Sequence, residues 1–267
     1  MFTTPLPRLP KRIAFAATLA AFASAALAES ITSAHYSTPV ASYGHFALGR
    51  PHEYSQVTAS TDSGRTLVFQ LPDKEVFEDL APRIVRLSAD QPNELLAVVS
   101  RQGDGSRLML IGLQGDRLAS SAQSPAIGTP MRWLNPVAVA DLDGDGQAEI
   151  AAVITPHIGG TLKAYKRRGA ELVEVAALVG FSNHVYGSAE LGLSAAIPIA
   201  GTMHLLVPDT TRMNIRIVSL KRGRLVETGR CALQTPLTIS MTSISSSQFA
   251  IKQQSGRRLI IPDDCAR

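Results

Sequence analysis

Residues 137–154 read VAVADLDGDGQAEIAAVI. Asp141, Asp143 and Asp145 set carboxylates at every second position, Gly146 permits a sharp turn, Gln147 can offer its backbone carbonyl, and Glu149 can close the shell. A hard cation such as calcium takes six to eight oxygen ligands, and this run supplies most of them. Val137–Ala140 and Ile150–Ile154 on either side are small-residue, β-branched runs, the composition of buried strands. The acidic loop is therefore expected to join two strands. An EF-hand is excluded, because the bidentate Glu it needs at the twelfth position, counted from Asp141, is replaced by Ala152. The plain alternative is an acidic hairpin turn that holds no ion.

This strand–loop–strand stretch of about 20 residues resembles the FG-GAP repeat, also called the VCBS repeat, of integrin-like β-propellers. The resemblance implies a propeller fold, and interaction or scaffold duty more often than catalysis. Only this stretch keeps the full acidic set, so one calcium ion is expected, with a structural role. Carboxylates this close repel one another unless a cation neutralises them.

The first 28 residues read as a secretory signal peptide. Arg8, Lys11 and Arg12 form a basic start, Ile13–Leu27 is uncharged and apolar, and Ala26-Leu27-Ala28 fits a small-x-small cleavage site before Glu29. The apolar run, about 15 residues, is short of the roughly 20 that a spanning helix needs. Residues 29–267 are then a single exported domain, secreted to the periplasm or beyond the cell, with no transmembrane segment. Removing the leader takes three of the 26 basic residues and none of the 22 acidic ones, so the formal charge falls from +4 to about +1. Nothing in that balance points to nucleic acid. The clusters Lys166-Arg167-Arg168 and Lys221-Arg222-Gly223-Arg224 fall at hairpin turns and read as solvated. Cys231 and Cys265 are the two cysteines, and in an oxidising compartment an even count favours a disulfide between them.

Short apolar runs recur between turn signals, with almost no helical periodicity. The pattern predicts an all-β chain of about five four-stranded units, each near the 45-residue size of a propeller blade. Unit three is the template: strands at 137–140, 149–155, 161–167 and 171–178. Unit one begins at Tyr43–Leu48, and unit five ends one strand short after 257–262. Ile31–Val40 precedes unit one and is expected to supply that missing strand, closing the ring. A β-sandwich or two smaller β domains are the rival architectures.

Strand alternation places His157 and the Asn183/His184/Tyr186 group on one face, opposite the calcium loop, with Tyr43-Gly44-His45 contributing to it. Two His and an Asn among small residues are candidates for binding a small polar ligand or a metal, although loop His and Asn are also ordinary turn chemistry. Trp133 reads as core or rim packing. No G-x-S-x-G, H-E-x-x-H or phosphate loop is present. Glu78-Asp79 and Asp263-Asp264 are sequence neighbours that point apart on strands, so no acid/base pair assembles. Two functions remain open. One is a calcium-binding propeller acting as a binding or scaffold module for a protein, glycan or small ligand. The other is a lyase or hydrolase using His157 and His184. A pocket of converging polar side chains on the His157 face would separate them.

Overall fold

The computed structural model describes residue 1 and residues 29–245, 248–253 and 256–265. The expected leader, apart from Met1, lies outside the described residues. The described residues are all-β: nineteen strands and one single-turn 3-10 helix. Among the described residues no helix is long and apolar enough to cross a membrane.

The strands fall into consecutive units. Unit one holds β1 (Ile31–Pro39), β2 (Tyr54–Thr61), β3 (Thr66–Gln70) and β4 (Glu75–Phe77). Unit two holds β5 (Arg83–Val85), β6 (Glu94–Arg101), β7 (Gly105–Gln114) and β8 (Arg117–Gln123). Unit three holds β9 (Leu134–Ala140), β10 (Glu149–Ile154), β11 (Gly160–Arg168) and β12 (Glu171–Phe181). Unit four holds β13 (Ala195–Ile199), β14 (Thr202–Pro208), β15 (Asn214–Lys221) and β16 (Arg224–Ala232). Unit five holds β17 (Met241–Ser245), β18 (Gln248–Gln253) and β19 (Gly256–Ile260). Units two, three and four are antiparallel meanders in chain order.

The near-continuous apolar strands follow from burial on both faces. Along β6, Leu95, Ala97 and Val99 pack toward unit one, whereas Leu96 and Val98 pack toward unit three. In β10, Ile150, Ala152 and Ile154 face unit two, and Ala151 and Val153 face unit four. Leu205 and Val207 of β14 face unit three, and Leu206 faces unit five. Side chains alternate across a strand, so a sheet clamped between two others needs apolar residues at successive positions. Four cores thus separate five stacked units, an arrangement of the propeller kind.

The stack departs from the sequence expectation at both ends. Ile31–Val40 does not complete unit five: β1 pairs with β2, with Tyr36 opposite Val57. Ile31 and Tyr36 turn inward and join Val57 and Phe77 in one core, which fixes that strand in unit one. Tyr43–Leu48 is not a strand. Buried Glu53 accepts hydrogen bonds from the backbone N–H groups of Gly44, His45 and Phe46, each at 3.0 Å, and the segment curls round that carboxylate. Among the described residues none of the four cores joins unit five to unit one, and the sheets do not close into a ring. Nor are the units separate sheets throughout. β4 pairs with both β2 and β6, and β8 meets β12 at one parallel position, which merges units one to three into one twelve-stranded sheet.

Cys231 and Cys265 are disulfide-bonded, tying the C-terminal segment to β16.

Candidate functional site

Two polar constellations flank unit three, at opposite ends of β10. The first is the acidic loop between β9 and β10. Asp141 Oδ1 accepts from the N–H groups of Gly144 (2.8 Å) and Asp145 (3.1 Å), and Oδ2 from that of Gly146 (2.9 Å). Gly144 and Gly146 sit at φ +82° and +87°, where a Cβ would be strained, which is why the chain can fold back on this carboxylate. Glu149 is fully buried, and its Oε2 accepts from Leu142 N–H at 2.8 Å. Oxygens of Asp141, Asp143 and Glu149 all lie within 4.8 Å of one another.

Lys166, read from sequence as solvated, belongs to this loop. Its ammonium stands 2.9 Å from Glu149 Oε1 and 3.2 Å from Asp143 Oδ2, and it hydrogen-bonds to Asp145. Burial opposes its charge, but contacts with the carboxylates of Asp145, Glu149 and Asp143 prevail and raise its pKa above the ordinary value. The same hydrogen bond from Lys166 heads the causes that lower the Asp145 pKa. Arg167, also read as solvated, points the other way and donates to Glu94 Oε2 at 2.7 Å, while Ser121 Oγ donates to Glu94 Oε1 at 2.5 Å. Sequence neighbours on a strand serve opposite faces, and the two buried glutamates that begin β10 and β6 each receive one cation.

These residues fit a divalent ion. Glu149 Oε1 is buried, and the partner it has is a cation, the Lys166 ammonium at 2.9 Å. The neighbouring oxygens already surround a positive charge. Asp145, Gly146 and Gln147 line an open cleft of about 740 Å³ between units two and three, which gives the loop access to solvent.

The second constellation is the His157 face. Thr155, at φ 53°, ends β10 and donates its N–H to Trp133 O at 2.9 Å, and the turn sets the His157 ring parallel to Trp133, 3° between planes. Gly160 lets the chain return, since a Cβ there would meet Ile154 O and Phe181 O at 2.8 Å. His184, in the segment after β12, is fully buried against Trp133. The two His come together as the strand alternation requires: His157 Nε2 lies 2.7 Å from His184 Nδ1. His184 Nε2 lies 2.8 Å from Ser188 O. A carbonyl only accepts, so Nε2 of His184 carries the proton and its Nδ1 accepts from His157 Nε2–H. The lone pair of the chain is then His157 Nδ1. Burial, followed by the charges of His184, His45 and Arg212, lowers the His157 pKa to about 3. Burial also leads for His184, lowered to about 4.

Tyr186 joins the same face edge-on to His157, with its hydroxyl donating to His45 O at 2.8 Å. Asn183 does not. Its side chain is turned into the interior, donating to Asn135 O (3.3 Å) and Ser194 Oγ (3.2 Å). Glu78 is a participant that sequence reading set aside. It is fully buried, with Oε1 2.9 Å from His45 Nδ1, and its backbone carbonyl accepts from Trp133 Nε1–H at 2.9 Å. Its neighbour Asp79 points elsewhere, to Arg83 at 2.5 Å. The face is thus filled by rings bonded to one another. Its exposed rim is apolar: Ile158, Tyr186 and Met131 are 63%, 58% and 43% exposed.

No protein-family model and no curated protein matches the chain. Among solved structures, one match is a provisionally assigned 6-phosphogluconolactonase from Bacteroides fragilis NCTC 9343, at 15% identity and a TM-score of 0.37. The match covers 79% of this chain, which spans 64% of that structure's length.

Proposed function

We propose that the chain is an exported, calcium-binding β-propeller of the FG-GAP/VCBS type, with five blades of which the fifth is three-stranded. It serves as a binding or scaffold module for a protein, glycan or small ligand. One observation carries the reading: the oxygens of Asp141, Asp143 and Glu149 converge within 4.8 Å, with Glu149 fully buried at the base of the loop. Asp141, Asp143, Asp145, the Gln147 carbonyl and Glu149 would hold the ion. Bound calcium would supply a fixed double charge that neutralises the clustered carboxylates of the β9–β10 loop. The apolar rim of Met131, Ile158 and Tyr186 supports partner binding on the other face, since exposed aromatic and Met side chains are enriched at interfaces.

The rival reading, a lyase or hydrolase using His157 and His184, finds little support. His184 has both nitrogens engaged and Asn183 faces the interior, so neither is free to act beside His157.

The test is thermal unfolding of residues 29–267 with calcium and with chelator. Calcium should raise the melting temperature, and Asp143→Ala should remove that response. Superimposable wild-type curves in the two conditions would end the calcium reading.

A further inference from the structure

Lys166 places a cation where the divalent ion would sit. Its ammonium is 2.9 Å from Glu149 Oε1 and 3.2 Å from Asp143 Oδ2, and it is hydrogen-bonded to Asp145. Register explains the position: Ile150 pairs with Tyr165, so the next residue of β11 comes alongside Glu149. We propose that Lys166 is a tethered counter-ion that shares the acidic loop with calcium. It holds the carboxylates together without the ion and is expelled when the ion binds. The proposal rests on the calcium reading above.

Exclusion follows from distance and charge. Calcium bonds oxygen at about 2.3–2.6 Å. An ion bridging Asp143 and Glu149 would therefore lie within a few ångströms of the ammonium now touching both. Like charges at such separations repel strongly wherever water is displaced. The lysine can leave, because Asp143 and Asp145 are 32% and 49% exposed and open onto solvent.

Three properties result. The loop is formed before calcium arrives, so the carboxylates do not splay in the metal-free chain. Affinity is lowered, because the ion displaces a charge held nearby at high effective concentration. Divalent ions are favoured, since a monovalent ion would only exchange one unit charge for another. Unit two shows the contrasting arrangement. There Glu94 is satisfied by Arg167 and Ser121, in a loop without the acidic series.

The experiment is calorimetric titration of residues 29–267 with calcium chloride, alongside melting in chelator. Wild type is compared with Lys166→Met, with Lys166→Gln as a second variant that keeps a hydrogen-bonding head. Lys163→Met is the control, removing a lysine of the same strand that pairs with Glu174 at 2.7 Å. Lys166→Met and Lys166→Gln should bind calcium about tenfold tighter or more, and should melt below wild type in chelator. Lys163→Met should match wild type in calcium affinity. Unchanged or weaker binding in both Lys166 variants would overturn the counter-ion proposal while leaving calcium in place. Absence of binding in wild type and variants alike would overturn the calcium reading itself. Binding by the Lys166 variants alone would overturn the sharing, because the lysine would then hold the loop permanently and exclude calcium from the native protein.

Discussion

Acidification from pH 7.5 to 5 should weaken the fold through His157 and His184. Both rings are packed against Trp133 and bonded to each other. Their folded pKa values are lowered to about 3 and about 4, burial being the first cause of each, against 6.5 for an unperturbed imidazole. Between those limits the unfolded chain binds protons that the folded chain does not. The stability tied to neutral rings is therefore fully present above pH 6.5 and is lost as pH falls toward the folded values. At pH 5 the deficit is about 1.5 pH units per ring, or about 2 kcal/mol each and about 4 kcal/mol for the pair. The depressed carboxylates Asp145, Asp209 and Glu227 act in a lower window, because their contribution goes only as pH drops through their own folded values. Equilibrium urea unfolding at both pH values measures the effect. Wild type is compared with the double variant His157→Gln/His184→Gln, in which the remaining histidines are shared and cancel. The predicted result is a loss larger in wild type by about 4 kcal/mol. Equal losses in the two proteins would refute the claim that these rings are held neutral by burial.

Reduction of the Cys231–Cys265 bond, whose ends are 34 positions apart in sequence, should cost about 3–4 kcal/mol in the chain-entropy model, read as a lower urea midpoint. Deleting residues 29–41 should destabilise the chain by about 3–5 kcal/mol, since Ile31 and Tyr36 leave the first core; a change below about 1 kcal/mol would mark β1 as dispensable. Gly160→Ala should cost about 1–3 kcal/mol because the added methyl has backbone oxygens at 2.8 Å, whereas Gly169→Ala, with open space around it, should suffer only the backbone strain of φ +62°.

The fold was legible where pattern and burial coincide. Leu95–Val99 and Ile150–Ile154 are apolar at successive positions, and runs this short between turn signals fit strands buried on both faces. The His157–His184 contact was legible too, because strand direction alone decides which loops share an end of a sheet. Pairing of Ile31–Val40 was not legible. A half-buried strand can add to either edge, and the choice lay with the core that receives Ile31 and Tyr36. The curl at Tyr43–Leu48 was hidden because it depends on a carboxylate, Glu53, that reads as a surface residue until its three N–H donors are seen. Lys166 and Arg167 looked like turn residues for a related reason: a run of basic residues carries no mark of the buried Glu149 and Glu94 on opposite faces of the sheet.

A crystal of residues 29–267 grown in calcium would test the central claim most directly. The account predicts one ion with oxygens of Asp141, Asp143, Asp145, Glu149 and the Gln147 carbonyl at about 2.3–2.6 Å, and Lys166 turned away from Glu149. A loop with Lys166 still bridging Asp143 and Glu149, and no ion among the carboxylates at saturating calcium, would contradict it.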